Sequence, residues 1–317
     1  MREGELLALI YNRSTDLRAA FPQVLVGPGD DCALVGVGAA HPGVLLKTDQ
    51  LIEGRHFTPG TPLDLIARKA IARAVSDIAA MAGTPRAALA ACALPPGYEQ
   101  RRADELFDAC SRWSRHFGAP LVGGDIASFA TDATPLTLTI TLVGLPHPSR
   151  GPVLRSTARP SDHVYITGRI GGSFDAATGM GRHLTFEPRV TEAHWLADTL
   201  GPQLHAMMDL SDGLGIDAGR LGAASRVQLE LDVPRSCLHD RARQHSADRN
   251  LVLQSVSDGE DYELLFTADT AVTLPPTCPL TGTPITRIGR CLAGEPACYL
   301  LLDGERLDVS GRGWEHT

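Results

Sequence analysis

The sequence predicts a mixed α/β fold in two domains. Three observations carry this. The 317-residue chain exceeds what one core usually organises. The run Leu136 to Leu142, LTLTITL, alternates strictly, as a half-buried strand does. Strand-like and helix-like segments also alternate on both sides of a linker-like stretch, PHPSRGP, at 146–152.

The N-terminus, MREGELLALIYNR, reads as a helix. Its early acids and lack of an apolar h-region argue against a secretory leader, so a cytoplasmic protein is expected. Val44 to Lys47 is a short strand, with Thr48-Asp49 at its end. A helix starts at Asp64 as N-cap and runs to about Ala82, stopping at Gly83 with Pro85 beyond. Arg86 to Leu94 is a second strand closed by Pro95-Pro96-Gly97, and Tyr98 to Phe117 has helical spacing. Leu121-Val122 leads into Gly123-Gly124-Asp125. Beyond the linker come a strand at His163 to Thr167, a glycine-rich turn at Gly168 to Ser173 and a helix. Further strands are expected near 228–232, 262–267, 285–288 and 297–302. The domains are expected at 1–148 and 149–317.

Composition excludes several classes of function. Hydrophobic residues make up 43% and charged residues 21%, an ordinary globular balance. The net charge of −8 argues against broad nucleic-acid binding. No apolar run reaches membrane-spanning length. The seven cysteines are scattered without a CxxC pair, and the eleven histidines show no HExxH, so disulfide and zinc frameworks are not expected. No P-loop or protein-kinase signature is present.

What the chain does carry is a series of acids in short glycine-rich or hydroxyl-rich settings: Gly29-Asp30-Asp31, Thr48-Asp49, Ser76-Asp77, Gly124-Asp125, Asp209-Leu210-Ser211-Asp212-Gly213 and Gly259-Glu260-Asp261. Each has a plain structural reading. Gly29-Asp30-Asp31 makes a turn. Asp77 pairs with Arg73 one helical turn earlier on a wet face. Ser211 or Asp212 caps a helix over 213–224. Gly168 to Ser173 is first of all a strand-to-helix turn, with an anion facing its amides as the lesser alternative. Brought together, however, these carboxylates would demand hard cations such as Mg²⁺, and Mg²⁺ suits phosphates.

The stretches GPGDDCALV, KTDQLIEGRHF, AVSDIAAMAGTP, LVGGD, LRSTARPSDHVYITG, RHLTFEPR, MDLSDGLGIDAGRL, SDGEDYELLFT and the terminal GWEH occur in this order over residues 27 to 316. Their order and spacing resemble the thiamine-monophosphate kinases of the PurM-like ATP-binding superfamily. The resemblance implies an α+β N-terminal domain that dimerises through its sheet, so a homodimer is expected. It also implies an α/β C-terminal domain closing over ATP, with the site in the cleft between. The implied reaction is transfer of the ATP γ-phosphate to thiamine monophosphate by direct in-line attack, with several Mg²⁺ ions. Asp31, Thr48, Asp49, Asp77, Asp125, Asp209 and Asp212 fall on implied metal positions, and Asp30 is adjacent. Gly124, Asp125, Arg155 and Ser211 fall on ATP positions, and His56, Glu260 and Trp314 on thiamine-phosphate positions. The alternatives are another PurM-like ATP-dependent enzyme and a non-catalytic nucleotide-binding relative.

Four residues depart from the family pattern. Lys47 stands where Ser or Thr is usual, and its ammonium can replace or displace a cation. Ile126 follows Gly124-Asp125 where Thr is usual. Gly172 replaces a common Asp, and Ala74 a common Asn.

Overall fold

The computed structural model describes residues 3–38, 43–131, 134–245 and 250–315. Its elements in the first half are α1 (Glu3–Arg13), α2 (Leu17–Ala20), β1 (Val24–Val26), β2 (Ala33–Val35), β3 (Val44–Ile52), α3 (Leu63–Ala80), β4 (Thr84–Leu94), α4 (Gln100–His116), β5 (Leu121–Ser128) and β6 (Thr137–Leu145). The second half holds β7 (His163–Thr167), α5 (Val190–Leu200), β8 (Leu204–Asp209), α6 (Leu214–Ser225), β9 (Gln228–Leu231), α7 (Asp240–His245), α8 (Asn250–Ser257), β10 (Leu264–Ala268), β11 (Ile285–Leu292), β12 (Ala297–Leu302) and β13 (Glu305–Asp308).

The strands form two sheets, ordered β1-β2-β3-β6-β4-β5 and β13-β12-β9-β11-β7-β10-β8. Among the described residues, only β4–β5 and β9–β12 pair in parallel. The alternating run is the centre of the first sheet: β6 buries every second residue, with Leu138, Ile140 and Leu142 inside. The helices α3 and α4 share this core. In the second sheet, α6 and α8 pack on one face, while α5 joins the core on the other.

Helix α3 is the piece that both halves share. It is rich in alanine, and fifteen of its residues are buried. Ile71, Val75 and Ile78 face the first sheet's core, whereas Ala79 and Ala80 pack with Tyr165, Met207 and Phe266 of the second. A helix buried on nearly every side needs small residues where backbones come close.

Several boundaries differ from the sequence expectation, each for a local reason. Thr48-Asp49 does not end β3, because pairing with β6 continues to Ile52. Asp64 is not the N-cap of α3. Pro62 takes that position, and the Asp64 carboxylate accepts the Trp113 indole N–H at 2.8 Å. Neither Ser211 nor Asp212 caps α6. Gly213 does, and Asp217 one turn on accepts the amides of Asp212 and Gly213 at 2.9 and 3.1 Å. No helix starts from the turn at Gly168 to Ser173: the next helical residues are a single 3-10 turn at Arg182–Leu184, and α5 begins only at Val190. Its amides do face anions, but these are the protein's own: Gly171 donates to Asp261 at 3.0 Å and Gly172 to Asp258 at 2.8 Å. With φ of +66° and its missing Cβ directed at the Ala242 backbone, position 172 has no room for the Asp common at that place.

Candidate active site

Strand β8 ends at Asp209, and the turn Gly29-Asp30-Asp31 precedes β2. Between them α3 presents Asp77. These three elements bring one carboxylate oxygen each from Asp31, Asp77 and Asp209 within 4.8 Å of one another, all three residues being buried. The donor set is hard oxygen throughout. The Oδ2 atom of Asp31 is buried with no hydrogen-bond partner, a cost that a cation would remove. The group therefore fits Mg²⁺.

The neighbours of the triad divide its charge. Arg155 is paired to Asp31, and its backbone N–H donates to Asp30 at 3.2 Å. Ser76 donates to Asp209 at 2.6 Å. Lys47 reaches Asp77 at 2.6 Å and Asp49 at 3.8 Å. Burial raises Asp209 to about 7, with the Asp31 charge adding to it. Burial and the same neighbour raise Asp30 to about 7. Asp77 is raised well above the usual range by burial, which Lys47 only partly offsets. Burial likewise opposes the charge on Asp49, but Lys47 and Arg73 overcome it and lower its pKa. The Arg73–Asp77 pair expected on a wet face is absent, because Asp77 is turned inward to Lys47 and Arg73 toward Asp49 at 3.8 Å.

A cavity of about 720 Å³ adjoins these groups, and both halves of the chain line it. Lys47, Asp49, His56 and Arg73 come from one side; Ser211, Asp212, Glu260 and Trp314 come from the other. The three residues expected to meet thiamine phosphate thus share one cavity. His316, the last residue of GWEH, lies outside the described residues.

Glu260 is held firmly. Lys69, fully buried on α3, reaches Glu260 Oε1 at 2.5 Å, the His56 carbonyl at 2.6 Å and His183 Nδ1 at 2.8 Å. His183 Nδ1 also lies 3.2 Å from Glu260 Oε2. Burial lowers the Lys69 pKa to about 8. It disfavours charged Glu260 too, yet Lys69 and His183 outweigh it and bring that carboxyl to about 2. Glu260 and Tyr262 both adopt positive φ, 63° and 52°, a conformation that side chains rarely take. Sequence reasoning missed Lys69 and His183, and read Arg73 only as the surface partner of Asp77. The signal was there in α3, where Lys69, Arg73 and Asp77 recur every fourth residue on one stripe of an alanine-rich, largely buried helix.

Two expected ligands are not brought into this group. On β3, Leu45, Lys47, Asp49 and Leu51 point toward α3, so Thr48 points the other way and meets Thr141 at 2.9 Å. Asp125 is exposed on the edge strand β5, in register with exposed Ala91 on that same open face. Its neighbour Gly124 passes so close to β4 that a Cβ would meet the Ala90 carbonyl at 1.9 Å. Asp212 lines the cavity and is paired to Arg220.

Known proteins resemble this chain in sequence and fold. Residues 29–145 match the family described as AIR synthase related protein, N-terminal domain. The chain is 34% identical to the thiamine-monophosphate kinase of Rhodopirellula baltica over 299 residues, covering 91% of this chain and 89% of that protein. It is 31% identical to the Escherichia coli K12 enzyme of the same name, covering 99% and 98%. The solved structure "AaThiL complexed with AMPPCP and TMP" superposes with a TM-score of 0.77 at 26% identity, covering 100% of this chain and 99% of that one. The hydrogenase maturation protein HypE in complex with ATP shares the fold, with a TM-score of 0.68 at 17% identity. The length and identity of these matches establish that the chain belongs to the thiamine-monophosphate kinase family of phosphotransferases.

Proposed function

We propose that this chain transfers the γ-phosphate of ATP to thiamine monophosphate, giving thiamine diphosphate and ADP by in-line attack. One observation carries the reading: Lys47, which touches Asp77 of the hard-oxygen triad, also lines the cavity that His56, Glu260 and Trp314 line together. The relative solved with AMPPCP and TMP supports it.

Asp31, Asp77 and Asp209 would hold Mg²⁺, with Asp49 and Asp212 beside them at the cavity wall. When bound, Mg²⁺ neutralises the two anionic phosphate groups that must approach each other. The acceptor phosphate is itself ionised at neutral pH, so the chain supplies no strong general base. Trp314 is half exposed, and the Arg55 guanidinium sits 5.7 Å from its ring centroid. An aromatic ring of this kind can stack on a cationic thiazolium. Glu260, kept ionised by Lys69 and His183, accepts hydrogen bonds from the aminopyrimidine. Gly124, Arg155 and Ser211 are proposed for ATP.

The proposed division at 1–148 and 149–317 follows the sheets, which run from Val24 to Leu145 and from His163 to Asp308. A second copy of the chain is the proposed occupant of the open face of the first sheet, where Leu46 and Leu89 are exposed. A strictly monomeric mass in light scattering would remove that proposal. Among the described residues, no helix is long and apolar enough to cross a membrane.

The test is incubation of the purified protein with thiamine monophosphate, ATP and Mg²⁺. Thiamine diphosphate should accumulate. Nucleotide binding without product under saturating conditions would instead favour a non-catalytic relative.

A further inference from the structure

We infer that the Lys47 ammonium supplies, permanently, the positive charge that a divalent cation would otherwise bring between Asp49 and Asp77. The inference rests on the reading of the acidic triad as a cation site, but not on the identity of the phosphate acceptor.

Lys47 and Asp49 are two residues apart on β3 and so share the face that looks at α3. Asp77 rises from α3 to meet them. The Lys47 Nζ atom is 2.6 Å from Asp77 Oδ1 and 3.8 Å from Asp49 Oδ1. The three side chains are 21%, 11% and 19% exposed, so solvent screens them little. This is no surface pair: one of its acids, Asp77, also belongs to the triad with Asp31 and Asp209. Arg73 also reaches Asp49, at 3.8 Å.

An ammonium and a hydrated divalent ion cannot share the space between Asp49 and Asp77. The ammonium brings one charge and three donors on a tether. Mg²⁺ brings two charges, demands octahedral oxygen ligands, and leaves when its concentration falls. With Lys47 in place beside Arg73, the two carboxylates face two fixed positive charges at any free Mg²⁺ concentration. The triad is left as the place where divalent ions come and go. A short residue at position 47 would open the Asp49–Asp77 gap to one more ion.

The experiment counts Mn²⁺ ions per chain by electron paramagnetic resonance, in the presence of a non-hydrolysable ATP analogue. Lys47→Ser is expected to bind one Mn²⁺ more than the unmodified chain, and Lys47→Arg the same number. Asp49→Asn in the otherwise unmodified chain should leave the count unchanged, because the charges that face Asp49 are Lys47 and Arg73. Equal counts in Lys47→Ser and the unmodified chain would overturn the inference. Loss of one Mn²⁺ in Asp49→Asn would do so as well, and this second variant decides the matter should Lys47→Ser fail to fold. A chain that binds no Mn²⁺ would refute the triad as a cation site, and the increment in Lys47→Ser would still be read separately.

Discussion

Asp77 lies at the meeting point of the site's charges, since it belongs to the triad and also receives Lys47. Asp77→Asn keeps the shape and removes the charge. We expect kcat to fall by at least about two orders of magnitude, as when a preorganised electrostatic group is lost. A kcat within a few-fold of normal would reduce Asp77 to a structural helix residue. Lys69 has a different role, as it touches Glu260, His183 and the His56 carbonyl. Charge-assisted hydrogen bonds are worth about 1.5–3 kcal/mol each. Lys69→Met should therefore raise KM for thiamine monophosphate about tenfold while leaving KM for ATP near its original value. Equal rises in both would show a general loss of structure. Composition and spacing exposed the acids as residue types but not their directions. Thr48 and Asp49 are adjacent in sequence and point to opposite faces of β3, and only strand pairing decides which one meets α3.

Among the elements, β6 was the easiest to read because its alternation is complete over the first sheet's centre. The strand β7 falls where expected, at His163–Thr167. The edge strand β5 was harder. Its ordering depends on close passage past Ala90 and on register with β4, and both are long-range facts. The turn at Gly168 to Ser173 looked like the start of a helix because glycines after a strand often serve that way. The deciding residues, Asp258 and Asp261, lie some ninety positions downstream. Helix α3 was legible as a helix, but its burial between two cores was not. That position makes it intolerant of added volume. Ala79→Leu inserts three carbons between α3 and the second sheet's core and should cost about 1–3 kcal/mol, or more if the sheet cannot yield. The measurement is the urea midpoint, and an unchanged midpoint would mean that this contact is loose.

For the whole molecule, pH and cations are linked. Without metal, Asp209 and Asp30 titrate near 7 in the folded chain, against about 3.9 when unfolded. Between these values the folded state holds protons that the unfolded state has released. Their contribution is therefore complete below about pH 4 and is lost as pH rises through about 7. His147, His163 and His239, all lowered chiefly by burial, act in the opposite sense around pH 6.5 but lie outside the triad. Metal must displace the carboxyl protons. The rise in Tm on adding Mg²⁺ should accordingly be larger at pH 8 than at pH 6. A smaller rise at pH 8 would contradict the assignment of the triad.

Helix α3 also sets a length. Lys69 steadies the group proposed to hold the acceptor, and Asp77 joins the group proposed to hold the cations, eight residues further along the same rod. At 1.5 Å per residue that interval is ~12 Å. The two ends of the reaction are thus gauged against each other by one stiff rod rather than by separate loops. Any tilt of that rod would carry both ends together, and substrate spacing and cation geometry would drift in step.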